Sequence, residues 1–287
     1  MLSWFNKEYK QGKKLFINIL KKSFFLLVAN VISKILLFGI NLLAARVLNL
    51  NSFGQFTTIR STIFLFENVL NKSFGLTAIK KISSYEINDP KATQNLIGPL
   101  LIINSVICVF IVLIISINSN WIVEKFLTGD FSIKKTMLLS TGILVASSFS
   151  SLVQSFLIGF EKYKQITITN IITSILLIPI VYLLVNHLRL TGAVLSVIIF
   201  YSFDFFAKGI ILKQELSGLN LSFKISKLIP PLIDIFYFSS PVILSTIING
   251  LTFWYAKIHL INHENSFENI AIFDAAYQWL TIIMIIT

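Results

Sequence analysis

Eight stretches of this chain are apolar for about the length that crosses a bilayer, roughly 17 to 25 residues, and this constrains the fold more than any motif. Bounded by charges or turn residues, they run near Phe24 to Leu48, Gln55 to Ala78, Leu96 to Ile117 and Thr136 to Ile158. The others lie near Ile166 to Asn186, Leu190 to Leu212, Ile235 to Lys257, and from about Ile270 to the last residue. Strands of a membrane barrel would be roughly ten-residue segments of alternating polarity, whereas these runs are longer and apolar all round. The expected fold class is therefore all-α, a polytopic membrane helix bundle of about eight transmembrane helices. Composition excludes an ordinary cytosolic globular protein: 55% of residues are hydrophobic and 13% charged, where a soluble domain carries about a quarter charged.

The net charge of +11 would suggest nucleic acid in a soluble chain, but here the cations sit beside apolar runs and read as topology. The segment Met1 to Ser23 and the connections on its side hold fifteen Lys and Arg; the opposite side holds six: Arg46, Lys125, Lys134, Lys135, Arg189 and Lys257. This places the amino terminus in the cytoplasm. No cleavable signal peptide is expected, because the first apolar run is too long for one. Residues 1–23 are either a basic amphipathic helix on the membrane surface, with Phe5, Tyr9 and Phe16 opposite lysines, or simply a basic flank. The final stretch Trp279 to Thr287 ends in an apolar run without a polar flank, so either the eighth helix stops abruptly or the chain is truncated. The single cysteine, Cys108, allows no disulfide framework and is expected to face lipid or to fill packing space.

Charge inside a bilayer costs about 2.5 to 3.5 kcal/mol on insertion scales, so each intramembrane charge is a functional candidate. Asn30, Lys34 and Asn41 share one face of the first helix; Arg60 and Glu67 share one face of the second, with Asn68, Asn71 and Lys72 beyond. At 1.5 Å rise per residue, Lys34 lies about 15 Å from the start of its helix and Glu67 about 18 Å from the start of its own, at nearly one depth. Asn41 and Arg60 share another level. Lys34 and Glu67 then either form a buried ion pair or face a central cavity, where Lys34 and Arg60 attract an anionic group and Glu67 couples to an ion. Lys72 and Arg46 lie near the interfaces and are expected to snorkel. Asp204 and Lys208, four apart, form an intrahelical pair, and Asp274 is read as an acidic residue at the start of the last helix. The serines of the fourth helix, including Ser147, Ser148, Ser150 and Ser155, favour close packing, and Pro179 and Pro241 are expected to kink helices five and seven. There is no Gly-rich phosphate loop, HExxH or CxxC, and His187, His259 and His263 fall in external connections. No cofactor is implied, and His259, His263 and Glu264 are a weak metal-ligand pattern.

The junction Ala45-Arg-Val-Leu-Asn-Leu-Asn-Ser-Phe-Gly-Gln-Phe56 resembles the same junction in bacterial polysaccharide exporters of the O-antigen flippase type. Those belong to the multidrug/oligosaccharidyl-lipid/polysaccharide exporter superfamily. Ser73-Phe-Gly-Leu-Thr-Ala-Ile-Lys-Lys-Ile-Ser83, Gly159-Phe-Glu-Lys-Tyr163, Thr191-Gly-Ala-Val194 and Ser240-Pro241 opening helix seven are similar to that family as well. The chain departs from it at Asn49, where the family usually has glycine, and at Ala256-Lys257, near which an acidic residue is common. The resemblance implies twelve or more helices in two lobes of six around a central cavity. Its divisions here would be a cytoplasmic segment 1–23, a first six-helix lobe 24–212, a cytoplasmic connection 213–234, and two helices of a second lobe at 235–287. It further implies a non-enzymatic transporter in the bacterial inner membrane that flips an undecaprenyl-pyrophosphate-linked oligosaccharide for O-antigen, lipopolysaccharide or capsule synthesis. Its partners would be the lipid-linked oligosaccharide, membrane lipid and polysaccharide polymerase machinery, with no nucleic acid. The substrate-binding candidates are Lys34, Asn41, Arg60 and Asn30; the ion-pair or coupling candidates are Glu67 and Asp204.

Three other functions compete. A drug antiporter of the same superfamily would need acidic residues and aromatic walls, whereas helices one and two carry Lys34, Arg60 and Lys72 against Glu67. A membrane-embedded polymerase would carry a long external loop with arginines, and the connection Asn118 to Lys135 is short and has none. A non-functional truncated fragment is the third.

Overall fold

A computed structural model of the chain describes residues 24, 27–28, 31–32, 35, 38–88, 90–126, 133–218, 229–261 and 266–286. Segment 1–23, expected as an amphipathic helix or a basic flank, and Asn30 and Lys34 with it, lies outside these. The described residues are almost all helical, as a chain in hydrocarbon must be if every backbone amide is to be satisfied within its own segment. In chain order these are α1 (Phe38–Val47), α2 (Leu50–Asn88), α3 (Pro90–Ile117), α4 (Ser119–Phe126), α5 (Lys134–Gly159), α6 (Tyr163–Gly218), α7 (Ile229–Ile261) and α8 (Ser266–Ile286). Within α3, α5 and α6 the chain is long and apolar enough to cross a membrane. Among the described residues the eight expected runs are helical, and the protein is a multi-pass all-α membrane bundle.

α6 covers two of those runs. A straight helix of 56 residues would extend about 84 Å, yet Lys162, just before it, and Glu215, near its far end, form an ion pair at 2.7 Å. The chain doubles back at Arg189, whose φ of 50° and ψ of −126° are not helical. The arginine also donates from its guanidinium to the Val47 carbonyl at the end of α1, 2.8 Å away. Gly192 lets the halves meet, since a Cβ there would lie 1.9 Å from the Leu184 carbonyl oxygen. Pro179, where a kink is expected, lies inside the helical first half of α6; the break itself falls ten residues later at Arg189, between the two apolar runs.

Local sequence explains the other junctions. Asn49, the departure from the family's glycine, caps α2 by accepting the Ser52 N–H on its side-chain oxygen at 2.7 Å. At the end of α5 the Lys162 and Glu161 amides return to the Leu157 and Ile158 carbonyls, both at 2.9 Å. This paired closure needs a left-handed residue, supplied by Glu161 at φ 56°. Ser240-Pro241 does not open α7 but lies inside it, because the helix begins at Ile229. Proline leaves the Tyr237 carbonyl without its usual amide donor, and the Ser240 hydroxyl donates to it instead at 3.1 Å. The connection Asn118 to Lys135, expected to be a loop, contains α4.

The core lies where α2 and α6 pack against α5, with α7 and α8 on another side of α2. Small residues set the approach, as in other membrane bundles. A Cβ at Gly54 would lie 2.0 Å from the Phe267 carbonyl oxygen of α8, and one at Gly75 would lie 2.7 Å from the Ser155 hydroxyl of α5. The α5 serines pack as expected: Ser148 accepts from Asn104 of α3 at 3.3 Å and lies 3.0 Å from Cys108 Sγ. Cys108 is therefore buried packing between α3 and α5, not lipid-facing. Lipid contact falls to exposed rows such as Val106, Val109, Phe110 and Leu113 of α3.

Candidate functional site: a polar cleft between α2, α7 and α8

α2 carries its polar residues in rows because residues seven apart return to the same face after two turns. Arg60 and Glu67 form such a pair, with Nη1 of Arg60 donating to Oε2 of Glu67 at 2.5 Å. The other guanidinium nitrogen reaches the Tyr201 hydroxyl of α6 at 3.5 Å, and the Phe64 ring lies 5.6 Å from the guanidinium carbon. Glu67 is buried and Arg60 nearly so. The partner of Glu67 here is thus Arg60 of its own helix. Depth arithmetic pointed to Lys34, which lies outside the described residues; Arg60, two turns away on the same face, reaches Glu67 without any register between helices.

Beside this pair a chamber of about 140 Å³ opens between α2, α7 and α8. Ser61, Asn68 and Lys72 of α2 face Thr246 and Asn249 of α7, and Phe64, Phe253, Trp254 and Tyr277 supply aromatic walls. Lys72, expected only to snorkel, lines this chamber with no acidic partner among the described residues. The α2–α7 seam is held below by Thr77 and Ser239, whose hydroxyls lie 2.6 Å apart, and above by Trp254, whose indole N–H donates to Thr62 at 3.2 Å.

Lys257 and Asp274 pair behind the Phe253 wall of the cleft and correct two expectations. Lys257 is not in an external connection: α7 continues to Ile261, and the buried ammonium pairs with Asp274 of α8. Its nitrogen also lies 5.1 Å from the Phe253 ring centre. Asp274 is not at a helix start, because α8 begins at Ser266; it sits more than two turns in, where it neutralises Lys257. His259, also expected in a connection, occupies the last turn of α7, stacked on Tyr255. His263 and Glu264 lie outside the described residues, and among the described ones no cluster of three His, Cys, Asp or Glu could hold a metal.

The remaining candidates lie elsewhere. Asp204 and Lys208 form the expected intrahelical pair at 2.6 Å, deep between α5 and α6. Lys208 also donates to Gln154 at 2.5 Å, and the Ser150 hydroxyl donates to Asp204. Asn41 is half-buried on α1 and does not line the chamber. The structure thus joins Arg60 to Glu67 and adds Tyr201, Lys72, Asn249, Trp254, Lys257 and Asp274. The spacing of α2 could have shown Lys72; nothing local to the sequence connects α7 and α8 to it.

Comparison with known proteins places this geometry. No curated protein matches the chain by sequence. Among solved structures, one named only as protein A superposes with a TM-score of 0.62 at 13% identity, covering 95% of this chain and 61% of that one. The crystal structure of the eukaryotic MATE transporter AtDTX14 superposes with a TM-score of 0.58 at 13% identity, covering 88% of this chain and 58% of that one. The chain therefore spans about three-fifths of the length of these structures. Residues 19–287 match the family described as polysaccharide biosynthesis protein. A helical membrane bundle with the fold of a MATE transporter, matched over nearly its whole length, this chain belongs to the polysaccharide biosynthesis protein family.

Proposed function

We propose that the chain is the substrate-contacting part of a flippase that carries an anionic lipid-linked oligosaccharide, an undecaprenyl-pyrophosphate-linked repeat unit, across a bacterial inner membrane. The single observation that carries this reading is the chamber beside α2. Of the described charges in and around it, Arg60 is offset by Glu67 and Lys257 by Asp274, which leaves Lys72 as a cation without an acidic partner among the described residues, facing amides, hydroxyls and aromatic rings. An ammonium suits a phosphate or acidic sugar, and flat aromatic faces with nearby amides suit a sugar ring. Aromatic walls also suit organic cations, but this lysine repels them. Coupling falls in this reading to Glu67, whose bond to Arg60 would have to yield as the cleft changes shape; Asp204 is sealed away from it. The excess of Lys and Arg on the amino-terminal side supports a cytoplasmic amino terminus.

Complementation tests the reading. The chain, alone and extended to the length of its structural relatives, is expressed in a strain lacking its own repeat-unit flippase, and surface polysaccharide is assayed. Rescue by either form that is lost in Lys72→Glu, with the protein still in the membrane, is the expected result. Rescue that survives Lys72→Glu overturns the anionic-substrate reading.

A further inference from the structure

The polar chamber shares a wall with a second cavity of the opposite character. This groove, about 280 Å³, opens between α2, the end of α3, α4 and α7, and its lining is almost wholly hydrocarbon. Leu65 and Trp254 belong to both cavities. The Trp254 indole is fixed by its bond to Thr62, so one ring stands between a lysine-bearing chamber and an apolar slot. Along α2 the groove touches Thr62 to Phe66 while the chamber continues to Lys72, which places the ammonium-bearing turn about 9 to 15 Å further along the helix. At the other end the groove reaches Asn118 and Trp121, the latter exposed on α4. A polar turn and an exposed tryptophan are features of a membrane–water boundary.

We propose that the groove receives the hydrocarbon chain of the same amphiphile whose anionic head enters the chamber: a polyprenyl chain carried on a phosphate. This rests on the transport reading above. Head and tail are covalently joined, so their sites have to adjoin, and these two cavities adjoin across the Leu65 side chain and the Trp254 indole. Charge complementarity assigns the head to the Lys72 side, and the tail then has only the apolar side open to it. Hydrophobic burial does not drive the tail in, because surrounding lipid is equally apolar; the groove contributes van der Waals packing against Ile114, Leu251 and their neighbours. It keeps the tail beside the head, so that the linkage does not thread polar protein.

The test uses the full chain in vesicles of phosphatidylethanolamine and phosphatidylglycerol. The probe is a polyprenyl phosphate with a photoactivatable diazirine in its tail, and labelled residues are mapped by mass spectrometry. Labelling is expected on the walls around Ile114, Trp121 and Leu251, displaced by unlabelled polyprenyl phosphate. Leu251→Trp, which fills the slot, loses it; Ile114→Trp on the facing wall does the same and serves if the first variant fails to fold. A diazirine-bearing phosphatidylglycerol that labels the same walls and displaces the polyprenyl probe overturns the inference, since the groove is then an ordinary lipid site. If both tryptophan variants retain labelling while Lys72→Glu abolishes retention of the probe, the tail site is wrong and the flippase reading stands. If the unaltered chain retains no polyprenyl phosphate, both fail.

Discussion

The Asp204–Lys208 cluster between α5 and α6 and the α2–α7–α8 cleft contain the same ingredients in opposite surroundings. In the first, a carboxylate and an ammonium one turn apart are enclosed by Ser150 and Gln154, each of which adds a hydrogen bond. Nothing there is left for a ligand to satisfy. In the cleft, Arg60–Glu67 and Lys257–Asp274 are also paired, but Lys72 stands in an open chamber with no acidic partner among the described residues. The difference teaches that charge within a bilayer does not by itself mark a binding site. Charge that is matched and sealed holds helices together; charge in excess beside a cavity is available to a substrate.

Removing one partner at the sealed site should cost most. Lys208→Met leaves Asp204 buried and unpaired and should lower stability by about 3–5 kcal/mol, read as thermal unfolding in detergent. Adding Asp204→Leu should recover most of it, because an apolar pair of similar volume is often neutral; failure to recover would mean that the network does more than hold α5 to α6. Lys257→Ala should cost less, about 1.5–3 kcal/mol for a lost charged hydrogen bond in a part-buried pair. The exchanged pair Lys257→Asp with Asp274→Lys should restore folding, and a misfolded exchange would contradict a purely mutual role. Outside both regions, Asn49→Ala should cost about 1 kcal/mol as a lost helix cap, and Asn49→Gly only a few tenths. Lys72→Ala should change stability by less than about 0.5 kcal/mol, as surface substitutions do, while abolishing export in the complementation assay. If instead it destabilises the bundle without affecting export, the contrast between the two regions collapses.

How much of this was legible depended on how far apart in sequence the interacting residues are. Asp204 and Lys208 could be paired from spacing because four residues make one helical turn. Arg60 and Glu67 could be placed on one face, but the depth arithmetic matched Glu67 to Lys34 and put Arg60 at another level. The Lys257–Asp274 pair joins residues 17 apart across a helix–helix junction, and no periodicity within one helix reports it. α4 was too short to register as an apolar run, whereas the break at Arg189 falls in the gap left between the runs ending near Asn186 and starting near Leu190.

By itself the sequence determined that this chain is a membrane bundle of helices, where the spans lie, and which face of α2 is polar, because bilayer thickness and the helical repeat are local rulers. Only the tertiary structure decided which of those charges are neutralised, that Lys72 faces a chamber built from three helices, and that an apolar groove adjoins it. The physical reason is that neutralisation and enclosure are properties of pairs of surfaces: the same lysine is a snorkelling interface residue or a binding group according to what α7 and α8 place opposite it.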